Sequence, residues 1–166
     1  GEGNEHGTVV WKISPTGAIA PFAGRGVVGF SGTGGPAVDA SIHLAWGWSG
    51  HSIAASPDGL LYLAERNYGH WRVRRVNPDG ILVDIAGTNQ ACNSPDPNNC
   101  GDGGPATQAS LYTPTGMAVA PDGTLYLGQG WCIRKISPDG IITTVAGSNQ
   151  AGVPVSGQPA LGQYFG

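Results

Sequence analysis

The sequence predicts an all-β protein, a partial β-propeller of about two and a half four-stranded antiparallel blades. Two observations carry this prediction. Turns built on Pro and Gly recur at near-constant spacing, and the segments between them are short apolar runs of strand length with little helical periodicity. Ser14-Pro15-Thr16-Gly17 returns 63 residues later as Asn77-Pro78-Asp79-Gly80, and after a further 60 as Ser137-Pro138-Asp139-Gly140. A second turn, Ser56-Pro57-Asp58-Gly59, repeats as Ala120-Pro121-Asp122-Gly123 at a spacing of 64. Pro presets φ at the second turn position, Asp bonds its own backbone and Gly takes positive φ, so each motif reads as a hairpin turn. With 29 Gly and 13 Pro in 166 residues, a scattered distribution would suggest disorder. Here they sit at fixed offsets and punctuate strands.

In chain order, residues 1–24 read as the last two strands of an incomplete blade, closing with Ala18 to Ala23 and Gly24. Residues 25–51 form an inter-blade loop; the helical candidate in it, Ala37 to Leu44, is short and reads better as an ordered connection. A complete blade spans 52–87, with strands from Ser52 to Ala55, Leu60 to Ala64, Arg72 to Val76 and Ile81 to Ala86. A second loop covers 88–116, and a second complete blade, 117–147, repeats the pattern through Met117 to Ala120, Thr124 to Gly128, Ile133 to Ile136 and Ile141 to Ala146. Residues 148–166 lead toward a following blade. A sheet this small cannot bury both faces, so blades must stack, and closed rings need about four to eight of them. The chain therefore reads as part of a longer polypeptide, or as a subunit whose copies associate. Trp11, Trp46, Trp48, Trp71 and Trp131 are expected in blade-to-blade contacts.

The run Gly101 to Leu127, with its Gly-Asp-Gly-Gly-Pro-Ala loop, followed by Ile133-Arg134-Lys135-Ile136 and Thr144-Val145-Ala146-Gly147, resembles an NHL-repeat blade. The loop is similar to those in propellers of teneurins and of bacterial RHS (YD) repeat proteins. Gly32-Thr33-Gly34-Gly35-Pro36-Ala37 departs from it by one residue, and Gly157-Gln158-Pro159-Ala160 is a weaker third copy. The resemblance implies a non-catalytic scaffold or recognition module in a larger secreted or cell-surface protein. Its alternative is part of a propeller lyase or hydrolase with its site on the central axis.

Charge excludes other classes. The net charge of −3 provides no field for a nucleic acid partner, and no apolar run is long enough for membrane insertion. Gly1 to His6 has no basic and apolar leader pattern, so a signal peptide would lie upstream or have been removed. Cys92 and Cys100 flank a turn-rich insert and are expected to form a disulfide, which points to an extracellular or cell-surface setting. Zinc is the competing reading, with too few ligands; Cys132 reads as a buried thiol.

No nucleophile elbow, zinc-protease motif or phosphate loop is present, so no catalytic residue, metal ligand or cofactor is assigned. Asp102 could suggest calcium but is one carboxylate alone; it is expected to bond its own turn. The four His residues are scattered, with no His at the matching positions of the other blade. Arg74 and Arg75 match Arg134 and Lys135 as a basic pair of the repeat. What remains is an irregular insertion between the second and third strands of the first complete blade. Its Arg66, Tyr68, His70, Trp71 and Arg72 form the candidate binding surface for a protein or carbohydrate ligand.

Overall fold

The computed structural model describes residues 7–44, 53–67, 70–88, 90–92, 100–148 and 155–163. Its strands form three antiparallel sheets. β1 (Val10–Ile13) and β2 (Ile19–Ala23) make a two-stranded ribbon, the outer half of blade 1. β3 (Ile53–Ala55), β4 (Leu61–Asn67), β5 (His70–Val76) and β6 (Leu82–Ala86) form blade 2 in that order. β7 (Pro114–Val119), β8 (Leu125–Gln129), β9 (Cys132–Ile136) and β10 (Ile142–Gly147) form blade 3 likewise. The expected all-β partial propeller is what forms. Two single 3-10 turns, Ala37–Asp39 and Ala106–Gln108, interrupt the inter-blade loops.

The repeated turns close as their residue types require. Gly80 N–H donates to the Asn77 carbonyl, and Asn77 N–H to that of Ile81, while the Asp79 carboxylate accepts from Ile81 N–H. Asp122 does the same for Thr124 N–H at 2.9 Å, and that bond holds its carboxyl below the usual range. Each outer strand pair carries a register shift, at Val10/Trp11, Val73/Arg74 and Thr144/Ala146, and ends on Ala-Gly. Gly87 and Gly147, at φ 95° and 84°, lie so close to the Trp71 and Trp131 carbonyls that a Cβ would collide with them.

Two apolar layers hold the blades together. Between blades 1 and 2, Ala23, Ile42, Leu44, Leu61, Leu63, Val76 and Leu82 are buried with Ala37 and Ala40. Between blades 2 and 3 the set is Tyr62, Trp71, Val73, Leu111, Leu125, Leu127, Ile136 and Ile142, with small residues filling the gaps. Each loop lies between the blades it joins. Ala37 and Ala106 accept from Gly24 and Gly87 of the preceding blade and donate to the Gly80 and Gly140 carbonyls of the following one. In this way the Gly-Gly-Pro-Ala turn joins consecutive blades through backbone bonds alone.

A buried arginine fastens each loop to its blade. Arg74 of β5 donates to the Ser31 and Ser41 carbonyls at 2.9 and 3.1 Å and pairs with Glu65 of β4, both side chains fully buried. Arg134 of β9 donates to the Ser110 and Cys100 carbonyls at 3.1 and 3.3 Å, but its carboxylate is Asp102, at 2.7 Å, from the loop. This corrects the expectation that Asp102 serves its own turn. Its other oxygen accepts from Thr144 N–H of β10, because a buried guanidinium needs a carboxylate and the loop delivers one. Burial pushes the Glu65 carboxyl above its ordinary value, against the pull of Arg74.

Candidate recognition surface

The segment read as an irregular insertion is a regular hairpin extension. Antiparallel pairing continues past Glu65↔Arg72 through Arg66↔Trp71 to Asn67↔His70, whereas the matching ladder in blade 3 stops at Gln129↔Cys132. The β4–β5 ribbon thus projects two residue pairs further than its neighbour. On the loop side of β4, away from β5, Arg66 N–H donates to the His43 carbonyl.

Of the five predicted binding residues, Tyr68 lies outside the described residues, and the other four divide by face. Arg66 is exposed, and its guanidinium sits 5.7 Å from the centre of the Trp71 ring. Trp71 itself is 6% exposed and packs into the layer between blades 2 and 3. It corrects the expectation of a surface anchor: strand alternation points it inward with Val73, and its fit is the inter-blade role expected of the tryptophans. Trp11 and Trp131 differ, at 55% and 37% exposed, and Trp131 stacks on Tyr112 at 5.6 Å. Trp46 and Trp48 are outside the described residues.

Arg72 is half-buried against a different partner set. Its guanidinium lies 5.1 Å from the Phe30 ring centre, with one nitrogen 3.6 Å from Asp84. Phe30 in turn tilts against His43 at 6.2 Å. His70 is partly buried, and its Nδ1 makes no hydrogen bond among the described residues. The hairpin carries two arginines braced on aromatic rings, one on each face, and a buried histidine nitrogen that makes no hydrogen bond among the described residues. Planar cations held this way present donors at little entropic cost, which suits recognition of carboxylates and aromatic faces. Phe30 and His43 escaped sequence reasoning because they come from the preceding loop, 42 residues before Arg72 and 23 before Arg66 respectively. The only signal was their place in that loop, before the Thr33 turn and after Ile42.

At the opposite end of the same sheets a cleft of about 340 Å³ lies between blades 2 and 3, lined by Tyr62, Arg75, Asp84, Thr107, Ser137 and Asp139 among others. Arg75 is held there by Asn77 at 2.9 Å. Cys92 and Cys100 form the expected disulfide, with Cα atoms 5.4 Å apart and both residues buried, so it staples the inner end of the loop. Among the described residues no group of three or more His, Cys, Asp or Glu is placed to hold a metal, and no helix is long and apolar enough to cross a membrane.

Repeated blades, the Gly-Gly-Pro-Ala junctions and the arginine clasp together define an NHL-type propeller. Residues 82–162 match the family model of the teneurin NHL domain. The chain is an NHL-repeat propeller segment of the kind found in teneurins. It is 46% identical to chicken (Gallus gallus) teneurin-1 over 99 residues, 48% to zebrafish (Danio rerio) teneurin-3 over 103, and 34% to Drosophila melanogaster teneurin-m over 105. These matches take in 54%, 58% and 60% of this chain, which spans about 4% of the length of each relative. Among solved structures, a Bacteroides thetaiotaomicron structural genomics protein of unknown function superposes with a TM-score of 0.59 at 22% identity, over 91% of this chain and 33% of that one. That likeness concerns fold.

Proposed function

We propose that this chain is a non-catalytic part of the propeller of a larger cell-surface protein, a scaffold whose β4–β5 hairpin recognises a protein ligand. The observation that supports the reading is the hairpin itself. It projects two residue pairs beyond the matching ladder of blade 3, and Arg66 and Arg72 are braced there on Trp71 and Phe30. Everything around it is committed to blade packing, and recognition in repeat folds concentrates where one repeat departs from the others. A buried disulfide fits an oxidising, extracellular setting.

The test places Arg66→Ala with His70→Ala in the parent protein displayed on cells and measures adhesion to cells bearing its natural ligand. Adhesion weakened at least about fivefold, more than about 1 kcal/mol, at unchanged surface expression is the expected result. Unchanged adhesion refutes the surface. Sensitivity of adhesion to glycosidase and not to protease would replace the protein ligand by a carbohydrate.

A further inference from the structure

Blades 2 and 3 solve one problem with transposed residues. In blade 2 the loop position before Gly34-Gly35-Pro36 is Thr33, whose hydroxyl donates to Asp84 of β6 at 3.0 Å, while Glu65 of β4 neutralises Arg74. In blade 3 the same loop position is Asp102, which pairs with Arg134 and accepts from Thr144 N–H of β10. Thr144 occupies the place of Asp84, and Gln129 of β8 that of Glu65. The carboxylate has moved from strand to loop, and loop and outer strand have exchanged a threonine and an aspartate. Mixed combinations fail: Thr33 against Thr144 and Gln129 leaves a buried arginine without a counter-ion, and Asp102 against Asp84 and Glu65 crowds carboxylates.

A third loop carries the same position. Gln158 N–H donates to the Val155 carbonyl, Gly157 has φ 83°, and Gly147 N–H donates to the Ala160 carbonyl at 2.9 Å. These are the bonds that place Gly35, Gly34 and Ala37 in the first loop, so Ser156 stands where Thr33 and Asp102 do. This loop is exposed, as is the face of blade 3 beside it. Tyr126 and Ile133 are 39% and 40% exposed, while their counterparts Tyr62 and Val73 are 3% and 0% under the cover of blade 3.

We propose that residues 155–163 and the Tyr126/Ile133 face form a docking surface for a further four-stranded blade, and that Ser156 selects one of the blade 2 kind. Such a blade carries arginine, glutamate and aspartate where blade 2 has Arg74, Glu65 and Asp84. The surface repeats the interface already formed between blades 2 and 3, and a hydroxyl at position 156 supplies no counter-ion for an arginine of the Arg134 type. This selection is independent of what the β4–β5 hairpin binds.

The test extends the chain beyond Gly166 with a second copy either of residues 44–87 or of residues 113–147, each with Ser156 and with Ser156→Asp. Amide exchange is read at Gly157 and Ala160, which on docking gain the bonds that Gly103 and Ala106 make to Ile142 and Gly140. With Ser156, exchange should slow at least about tenfold more for the 44–87 copy than for the 113–147 copy, and Ser156→Asp should reverse the order. Equal protection by both copies overturns the selection. Protection by neither, or an order that Ser156→Asp leaves unchanged, overturns the proposal as well.

Discussion

Blades 2 and 3 share turns, strand order and register, yet the same sequence position leads to opposite environments in the two. Trp71 and Val73 are core while Trp131 and Ile133 are surface, because blade 3 covers the former pair and no described blade covers the latter. Apolar character along a strand therefore declares a docking face without saying whether a neighbour fills it. The polar residues differ in another way. Glu65, Asp84 and Thr33 in one blade become Gln129, Thr144 and Asp102 in the other, and each set neutralises one buried arginine. The function of these positions is conserved between the blades as a set, residue by residue it is not.

The clasps offer the largest effect by which to break the comparison. Glu65→Ala and Asp102→Ala should each lower unfolding free energy by about 3–5 kcal/mol, since each strands a buried guanidinium. Urea unfolding measures it. Asp102→Thr should cost about as much alone and recover most of the loss when joined with Gln129→Glu and Thr144→Asp, the blade 2 set. Failure of the triple variant to exceed the single one would show that the two clasps are not alternative solutions of one geometry.

Next in size is the tryptophan pair. Trp71→Ala should cost about 3 kcal/mol by opening a cavity between blades, and Trp131→Ala less than about 1.5 because a third of that ring already meets solvent. Equal losses would mean that burial by blade 3 adds nothing. The disulfide distinguishes the loops themselves, since Ser31 of the first stands where Cys100 of the second does and both offer a carbonyl to the arginine. Cys92→Ser with Cys100→Ser should lower stability by about 2–3 kcal/mol through the freed nine-residue loop, leaving the blade 1–2 junction unchanged. Hydrogen exchange at Arg25 and at Thr88, which donate to matching alanine carbonyls, reads the two junctions separately.

The fold was legible because its determinants are local and periodic. Pro-Asp-Gly turns bond within four residues, and strand-length apolar runs between them leave only a meander. Cys92 and Cys100 were legible for the same reason, being close in sequence. The buried clasps were not. Arg74 with Arg75, and Arg134 with Lys135, read only as a basic pair of the repeat, since strand alternation does not reveal which face of a blade lies under a loop 33 residues away in sequence, and the carboxylate comes from a strand in one case and a loop in the other. Trp71 was read two ways because a hairpin extension continues strand alternation, which turns Trp71 to the buried face of Val73, where an irregular loop would have exposed it.

The smallest effect sharpens the comparison at a single substituted position. Cys132 occupies in β9 the place that Arg72 has in β5, and Thr144 of β10 stands where β6 has the Asp84 with which Arg72 pairs. Losing the arginine and its aspartate together leaves a site with no exposed ion pair, and a thiol fills it. Burial is the main cause that pushes the Cys132 thiol above its ordinary value of 9.0, outweighing the nearby Arg134. At pH 8 the folded protein should thus react with iodoacetamide more slowly than it does after unfolding in urea, by a factor that combines lower thiolate fraction and restricted access. The sign for stability follows from linkage: a group that holds its proton more tightly when folded contributes stability below its unfolded value, and that contribution is lost as pH rises through the folded one. Cys132→Ser should therefore flatten the decline of unfolding free energy above about pH 9 while leaving neutral pH nearly unaffected. An alkaline decline as steep in the serine variant as in the parent would place its origin elsewhere in the chain.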